Sequence, residues 1–242
     1  MHTGAMRYSA SGAELEGFLA ADLTRRGRRP AVIVAHGWRG RDAFADGKAR
    51  KLAELGYVGF AADVYGRGLR GDTDEKAAAL MQPLMDDRAL LRRRIGAAVQ
   101  AMAEHKLVDP QRIGAIGFCF GGLTVLELAR SGAAVRGVVS FHGLLRTPEP
   151  ADARNIRCKI LALHGHDDPL APPQDVAAFA DEMTTARVDW QMVMYGNTAH
   201  AFTNPAANDP AKGLRYDASA DRRSWQAMRA FIEEVFAPDP PS

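Results

Sequence analysis

The stretch Gly117-Phe118-Cys119-Phe120-Gly121 sets a thiol at the centre of a Gly-x-Cys-x-Gly pattern. An apolar run, Arg112 to Phe118, leads into it, and a segment of helical period, Phe120 to Arg130, leads out. A strand turning sharply into a helix forces its central residue into strained geometry, so the positions two residues away must be small. Both are glycine. Such a bend lifts the central side chain above the sheet, and the unpaired N–H groups at the helix start favour a thiolate over a thiol. A free cysteine has a pKa of about 8.5 and is only a few per cent ionised at neutral pH, so this help is chemically relevant. Most free cysteines are small buried hydrophobes, and Cys158, which lacks this context, reads as packing.

A nucleophile of this kind needs a base, and the base needs an acid to orient it. The elbow resembles that of the α/β-hydrolases, and the resemblance implies the chain order nucleophile, acid, histidine, with the last two on loops after later strands. The run Leu161-Ala162-Leu163-His164-Gly165-His166-Asp167-Asp168-Pro169 is a buried strand leaving into a polar turn. Asp168, biased toward extended backbone by Pro169, is the preferred acid and Asp167 the fallback; either could be an ordinary turn aspartate. After Met192-Val193-Met194-Tyr195, the segment Gly196-Asn197-Thr198-Ala199-His200-Ala201-Phe202 puts His200 on the loop before the last helix. Seven histidines are present, so it is chain order and loop position that single out His200. His36, His142 and His164 end apolar runs at the same sheet edge and read as pocket wall or hydrogen-bonded turn residues. The oxyanion of a tetrahedral intermediate needs backbone donors: Phe120 N–H, and Trp38 N–H from the loop His36-Gly37-Trp38-Arg39-Gly40. His164-x-His166 is weak evidence for a metal and no pair has i, i+4 spacing, so neither metal nor cofactor is expected.

The elements that must position these residues alternate along the chain. Short apolar runs at Ala31–Ala35, Tyr57–Ala62, Arg112–Phe118, Val135–Phe141 and Lys159–Leu163 are continuous enough to be buried on both faces of a parallel sheet, and a sixth, Val188–Tyr195, alternates more than these. Helical patterns cover Asp46–Leu55, Arg88–Lys106, Phe120–Arg130, Gln174–Met183 and Asp221–Phe236. This alternation predicts βαβ units with right-handed crossovers and helices on both faces. Met6 to Leu19, loosely alternating around Gly12, predicts an antiparallel hairpin at the sheet edge. Residues 66–87 read as a variable segment over the strand ends with a helical patch, and Pro238–Ser242 as a disordered tail. The 242 residues are expected to form one domain.

A net charge of +2 argues against nucleic acid or an anionic membrane as partner. Two cysteines are too few for a secreted disulfide framework. No stretch of 18 apolar residues and no apolar leader is present, so a cytoplasmic protein is expected, acting on a small molecule. Its oligomeric state is not encoded in any pattern.

Gly117-Phe118-Cys119-Phe120-Gly121-Gly122, His164-Gly165-His166-Asp167-Asp168-Pro169 and Ala199-His200-Ala201-Phe202 resemble the dienelactone hydrolases (carboxymethylenebutenolidases). The likeness extends to Asp63-Val64-Tyr65-Gly66 and covers residues 30–237. It implies an α/β-hydrolase fold, a Cys119–His200–Asp168 triad and cleavage of an ester or lactone through a cysteine thioester. Two departures stand out. Gly37 replaces the glutamate that in type members interacts with the resting cysteine. Phe202-Thr203-Asn204 lacks the arginine that helps hold the substrate carboxylate, leaving Arg39, Arg67 or Arg70 as substitutes. Tyr65, His36 and Phe202 complete the candidate substrate contacts. Two rival readings use the same residues: a non-catalytic binding protein that keeps the elbow as scaffold, and an acyltransferase.

Overall fold

The computed structural model describes residues 1–238; the expected tail lies, apart from Pro238, outside the described residues. Eight strands form one sheet in the order β1-β2-β4-β3-β5-β6-β7-β8. β1 (His2–Ala10) and β2 (Ala13–Ala21) form the expected edge hairpin, longer than its alternation suggested, and β2 joins β4 (Val58–Ala62) antiparallel. Its turn is tight because Ser11 and Gly12 both take positive φ, 50° and 77°. The remaining strands run parallel: β3 (Arg29–Ala35), β4, β5 (Val108–Phe118), β6 (Gly137–Phe141), β7 (Lys159–Gly165) and β8 (Trp190–Tyr195).

Two apolar layers sandwich this sheet. α1 (Ala43–Glu54) and α6 (Ala218–Phe236) cover one face, packing Leu52, Met228 and Ile232 against Val32, Ile116 and Val139. α3 (Arg88–Glu104), α4 (Phe120–Arg130) and α5 (Pro173–Thr185) cover the other, with Ile95, Leu126 and Phe179 against Ile33, Ala115 and Ile160. Within residues 66–87 the helical patch is a full helix, α2 (Asp74–Asp86), which buries Ala77 and Leu84. A two-stranded ribbon that no alternation announced, β9 (Asn208–Asp209) with β10 (Leu214–Arg215), follows the His200 loop. Two residues per strand are too few to carry a period.

α1, α2, α3 and α6 each start under an Asp or Thr side chain that accepts a first-turn N–H. α4 does not. Its cap position is Cys119, whose side chain makes no capping bond, so that first turn keeps its donors for other use. A buried ion network fixes the far side of the helix: Arg130 bonds Glu127 and Glu182, while Arg92 bonds Glu127 and Asp152. Among the described residues no helix is long and apolar enough to cross a membrane.

Candidate active site

Every parallel strand ends at the same sheet edge, and that edge gathers the chemistry: His36 after β3, Cys119 after β5, His142 after β6, His164 and Asp168 at and after β7, His200 after β8. Cys119 occupies φ 56° and ψ −117°, the strained bend its neighbours predicted. A side chain at Gly117 would overlap the Gly121 carbonyl, and one at Gly121 would overlap the Ala35 carbonyl. The bend is therefore closed by backbone against backbone, and only glycine fits at either place. The Cys119 amide donates to the Phe141 carbonyl (3.1 Å), which holds the elbow to β6. Cys119 as a residue remains partly exposed.

Asp168 and His200 are almost completely buried, and His200 Nδ1–H donates to Asp168 Oδ2 at 2.7 Å. The other carboxylate oxygen accepts the Leu170 N–H at 2.8 Å. Asp167, the fallback acid, is half exposed and pairs with His166. The two loops are sewn together by Asp167 N–H to Thr198 O (3.0 Å) and His166 N–H to Tyr195 O (2.9 Å). The small ribbon buttresses the imidazole from outside: His200 N–H donates to Gly213 O, and Arg215 N–H to His200 O.

Cys119 and His200 interact, each favouring the charged form of the other, although His200 Nε2 has no partner that satisfies hydrogen-bond distance and angle. Burial pushes the Cys119 thiol up, but the His200 imidazolium and the Phe120 N–H outweigh it and hold the thiol below its ordinary value. Burial pulls the His200 imidazole down, yet the Cys119 thiolate and the Asp168 carboxylate raise it to about 10. Both shifts run in the direction that favours proton transfer from sulfur to imidazole. Cys158 is the contrast: burial pushes it up to about 12.

In the loop after β3, the Gly37 carbonyl accepts from His36 Nδ1 (2.7 Å) and Gly40 N–H (3.1 Å). His36 Nε2 in turn accepts the Val64 N–H (3.2 Å), which fixes the proton on Nδ1. With that carbonyl held, the planar trans peptide turns the Trp38 N–H to the opposite side. Tyr65 donates its hydroxyl to the Trp38 carbonyl (2.8 Å) and stacks on Phe120, so it joins the two candidate oxyanion donors.

The residues expected to touch substrate also make contacts within the protein. Arg39 bonds the Gly71 carbonyl and Asp74, and Arg67 forms an ion pair with Glu16, each guanidinium staying partly exposed. His36 and Tyr65 are buried supports of the Trp38 loop, and Phe202, fully buried, packs on His142 and Tyr195. Arg70 is exposed on its loop. A cleft of about 320 Å³ beside α4 is lined by Leu123, Leu144, Pro169 and Leu170, together with Arg88 and Arg146. No local pattern announces Thr203, whose hydroxyl meets His142 Nε2 at 2.8 Å beside the catalytic candidates. Among the described residues no three of His, Cys, Asp and Glu form a metal-binding group.

Comparison with known proteins fits this geometry to a family. The model of the dienelactone hydrolase family matches residues 15–236. The chain belongs to the dienelactone hydrolase family. A solved structure titled m3DLH is 41% identical, superposes with a TM-score of 0.93, and covers 98% of this chain and 99% of its own. A dienelactone hydrolase-like promiscuous phosphotriesterase from metagenomic libraries, P91, is 38% identical with a TM-score of 0.92, over 98% and 99% of the two chains. A probable 2-oxo-3-(5-oxofuran-2-ylidene)propanoate lactonase from Bradyrhizobium is 30% identical over 187 residues, 73% of this chain and 74% of the relative. As a family member the protein has the α/β-hydrolase fold and is a carboxymethylenebutenolidase-like hydrolase.

Proposed function

We propose that the protein hydrolyses an ester or lactone by way of a thioester on Cys119, with His200 as base and acid and Asp168 as orienting carboxylate. The observation that carries this reading is a cysteine on a strained bend, its thiol lowered toward thiolate by a buried imidazole whose Nδ1 is bound to a buried carboxylate. The Cys119 thiolate attacks the carbonyl carbon, and the Trp38 and Phe120 N–H groups receive the developing oxyanion. The C–O bond breaks, and His200 gives its proton to the departing alkoxide. His200 then takes a proton from water as the water attacks the thioester, and the thiolate leaves. Because thiolate is a good leaving group, an intermediate built on an amide tends to collapse backwards, so esters, lactones and thioesters are preferred over amides.

Leucine and proline line the cleft beside α4, but Arg88 and Arg146 line it too, so both neutral and carboxylate-bearing substrates belong in the test. The test is a panel of aryl esters and lactones, neutral and carboxylate-bearing, assayed with the wild type and Cys119→Ala. Turnover of neutral esters that Cys119→Ala abolishes is expected; undiminished turnover in the variant removes Cys119 from the mechanism. Added alcohols separate hydrolysis from acyl transfer by the products formed. The likeness to P91 supports a second activity at the same thiolate, cleavage of a phosphotriester. Aryl phosphotriesters therefore belong in the same panel.

A further inference from the structure

The dipeptide Phe141-His142 touches all three segments that carry the proposed triad. The Phe141 carbonyl accepts the Cys119 N–H at 3.1 Å. The His142 N–H donates to Leu163 O (2.8 Å) on β7, the strand that runs on to Asp168. The His142 side chain meets Thr203 Oγ1 at 2.8 Å, three residues beyond His200 and on the same loop. Its ring stands edge-to-face against the His200 ring, centroids 5.1 Å apart and planes at 68°, and is itself backed by Phe202 at 5.0 Å and Phe118 at 6.1 Å.

The backbone at His142 is strained to make this possible. Its φ is 38°, in the left-handed region where a glycine or asparagine would sit more easily. His200, by contrast, has one side-chain hydrogen bond, to Asp168, and none at Nε2. A ring held by a single bond can swing about it, and Nε2 is the atom farthest from that bond. Something must fix the plane of the imidazole if Nε2 is to stay opposite the sulfur.

We propose that His142, fastened by Thr203, is a positioning residue that fixes the plane of the His200 imidazole and so keeps Nε2 in register with Cys119. This rests on the triad reading above. His142 suits the task because it stays uncharged: burial first, then the charge on His200, then Lys48 and His164, hold it well below the usual histidine range. A charged ring there would repel the imidazolium it supports.

Thr203 is fully buried and lies outside the reacting set, so Thr203→Val removes the fastening with little change of volume. The expected result is a kcat for a neutral aryl ester about 10- to 100-fold lower with KM within about twofold, as for a small misplacement of a catalytic group. The acid limb of Cys119 alkylation by iodoacetamide should move to higher pH in the same variant. Thr203→Ser, which keeps the hydroxyl, should recover both readouts. His142→Asn, which tolerates the left-handed backbone but lacks the ring, should repeat the Thr203→Val result. Wild-type kcat and an unmoved alkylation profile in folded Thr203→Val overturn the proposal. So does a loss that only follows the fraction of folded protein and that serine does not rescue. Failure of the triad itself looks different: the wild type and Cys119→Ala would then turn over ester alike.

Discussion

Replacing Asp168 by asparagine changes one atom and should disable the base. One carboxylate oxygen accepts the Leu170 N–H at 2.8 Å and the other the His200 Nδ1–H at 2.7 Å, and the residue is 2% exposed. In the amide, the oxygen must face the Leu170 N–H, which turns the NH2 toward Nδ1. Nδ1 then has to be an acceptor, the ring proton moves to Nε2, and Nε2 can no longer take a proton from sulfur or water. The same substitution in a serine triad lowers kcat about 10⁴-fold, roughly 5.5 kcal/mol. A thiol keeps some thiolate unaided and is intrinsically more nucleophilic, so a loss of about 10²- to 10³-fold is expected here. The pH effect has a definite sign. Without the carboxylate, His200 loses part of what raises it to about 10, and Cys119 loses part of the imidazolium that holds the thiol low. Direct repulsion between Asp168 and the thiolate acts the other way but is the smallest of those contributions. Iodoacetamide alkylation should therefore slow at neutral pH and recover only at higher pH, with Cys158 silent because burial pushes it up to about 12. Folded Asp168→Asn with kcat within about threefold of wild type, or with its alkylation profile unmoved, would refute the reasoning.

Two further substitutions test the surroundings. Gly37→Glu fits without strain, since the nearest atom to its Cβ is the Phe118 carbonyl oxygen at 3.8 Å. The added carboxylate, near the elbow, should slow alkylation of Cys119 at pH 7 by about tenfold through like-charge repulsion of the thiolate. Arg130→Met removes a fully buried guanidinium from Glu127 and Glu182 and should lower stability by about 3–5 kcal/mol in urea unfolding. Glu127 keeps Arg92, so a loss near the lower figure is the better match to the geometry.

Much of this was legible because the signals are local and chemical. The Gly-x-Cys-x-Gly bend, the strand-then-acid run to Asp168 and the loop to His200 each declare themselves within ten residues, and chain order joined them. Continuous apolar strands likewise announced a sheet buried on both faces. What stayed hidden depends on contacts far apart in sequence. Nothing in Arg39 or Arg67 says that Asp74 and Glu16 hold them, at separations of 35 and 51 residues. Thr203 gives no sign that His142 lies against it. The β9–β10 ribbon consists of four residues, and α2 carries Pro83 inside it, which blurs its helical pattern.

The covalent intermediate is the most direct test of the whole account. The wild type should be mixed with an aryl ester, quenched in acid within the first turnover, digested and weighed by mass spectrometry. One acyl group is expected on the peptide that contains Cys119, formed at the rate of the initial burst and absent from Cys119→Ala. Rapid turnover with no adduct on that peptide, or an adduct on a different residue, would contradict it.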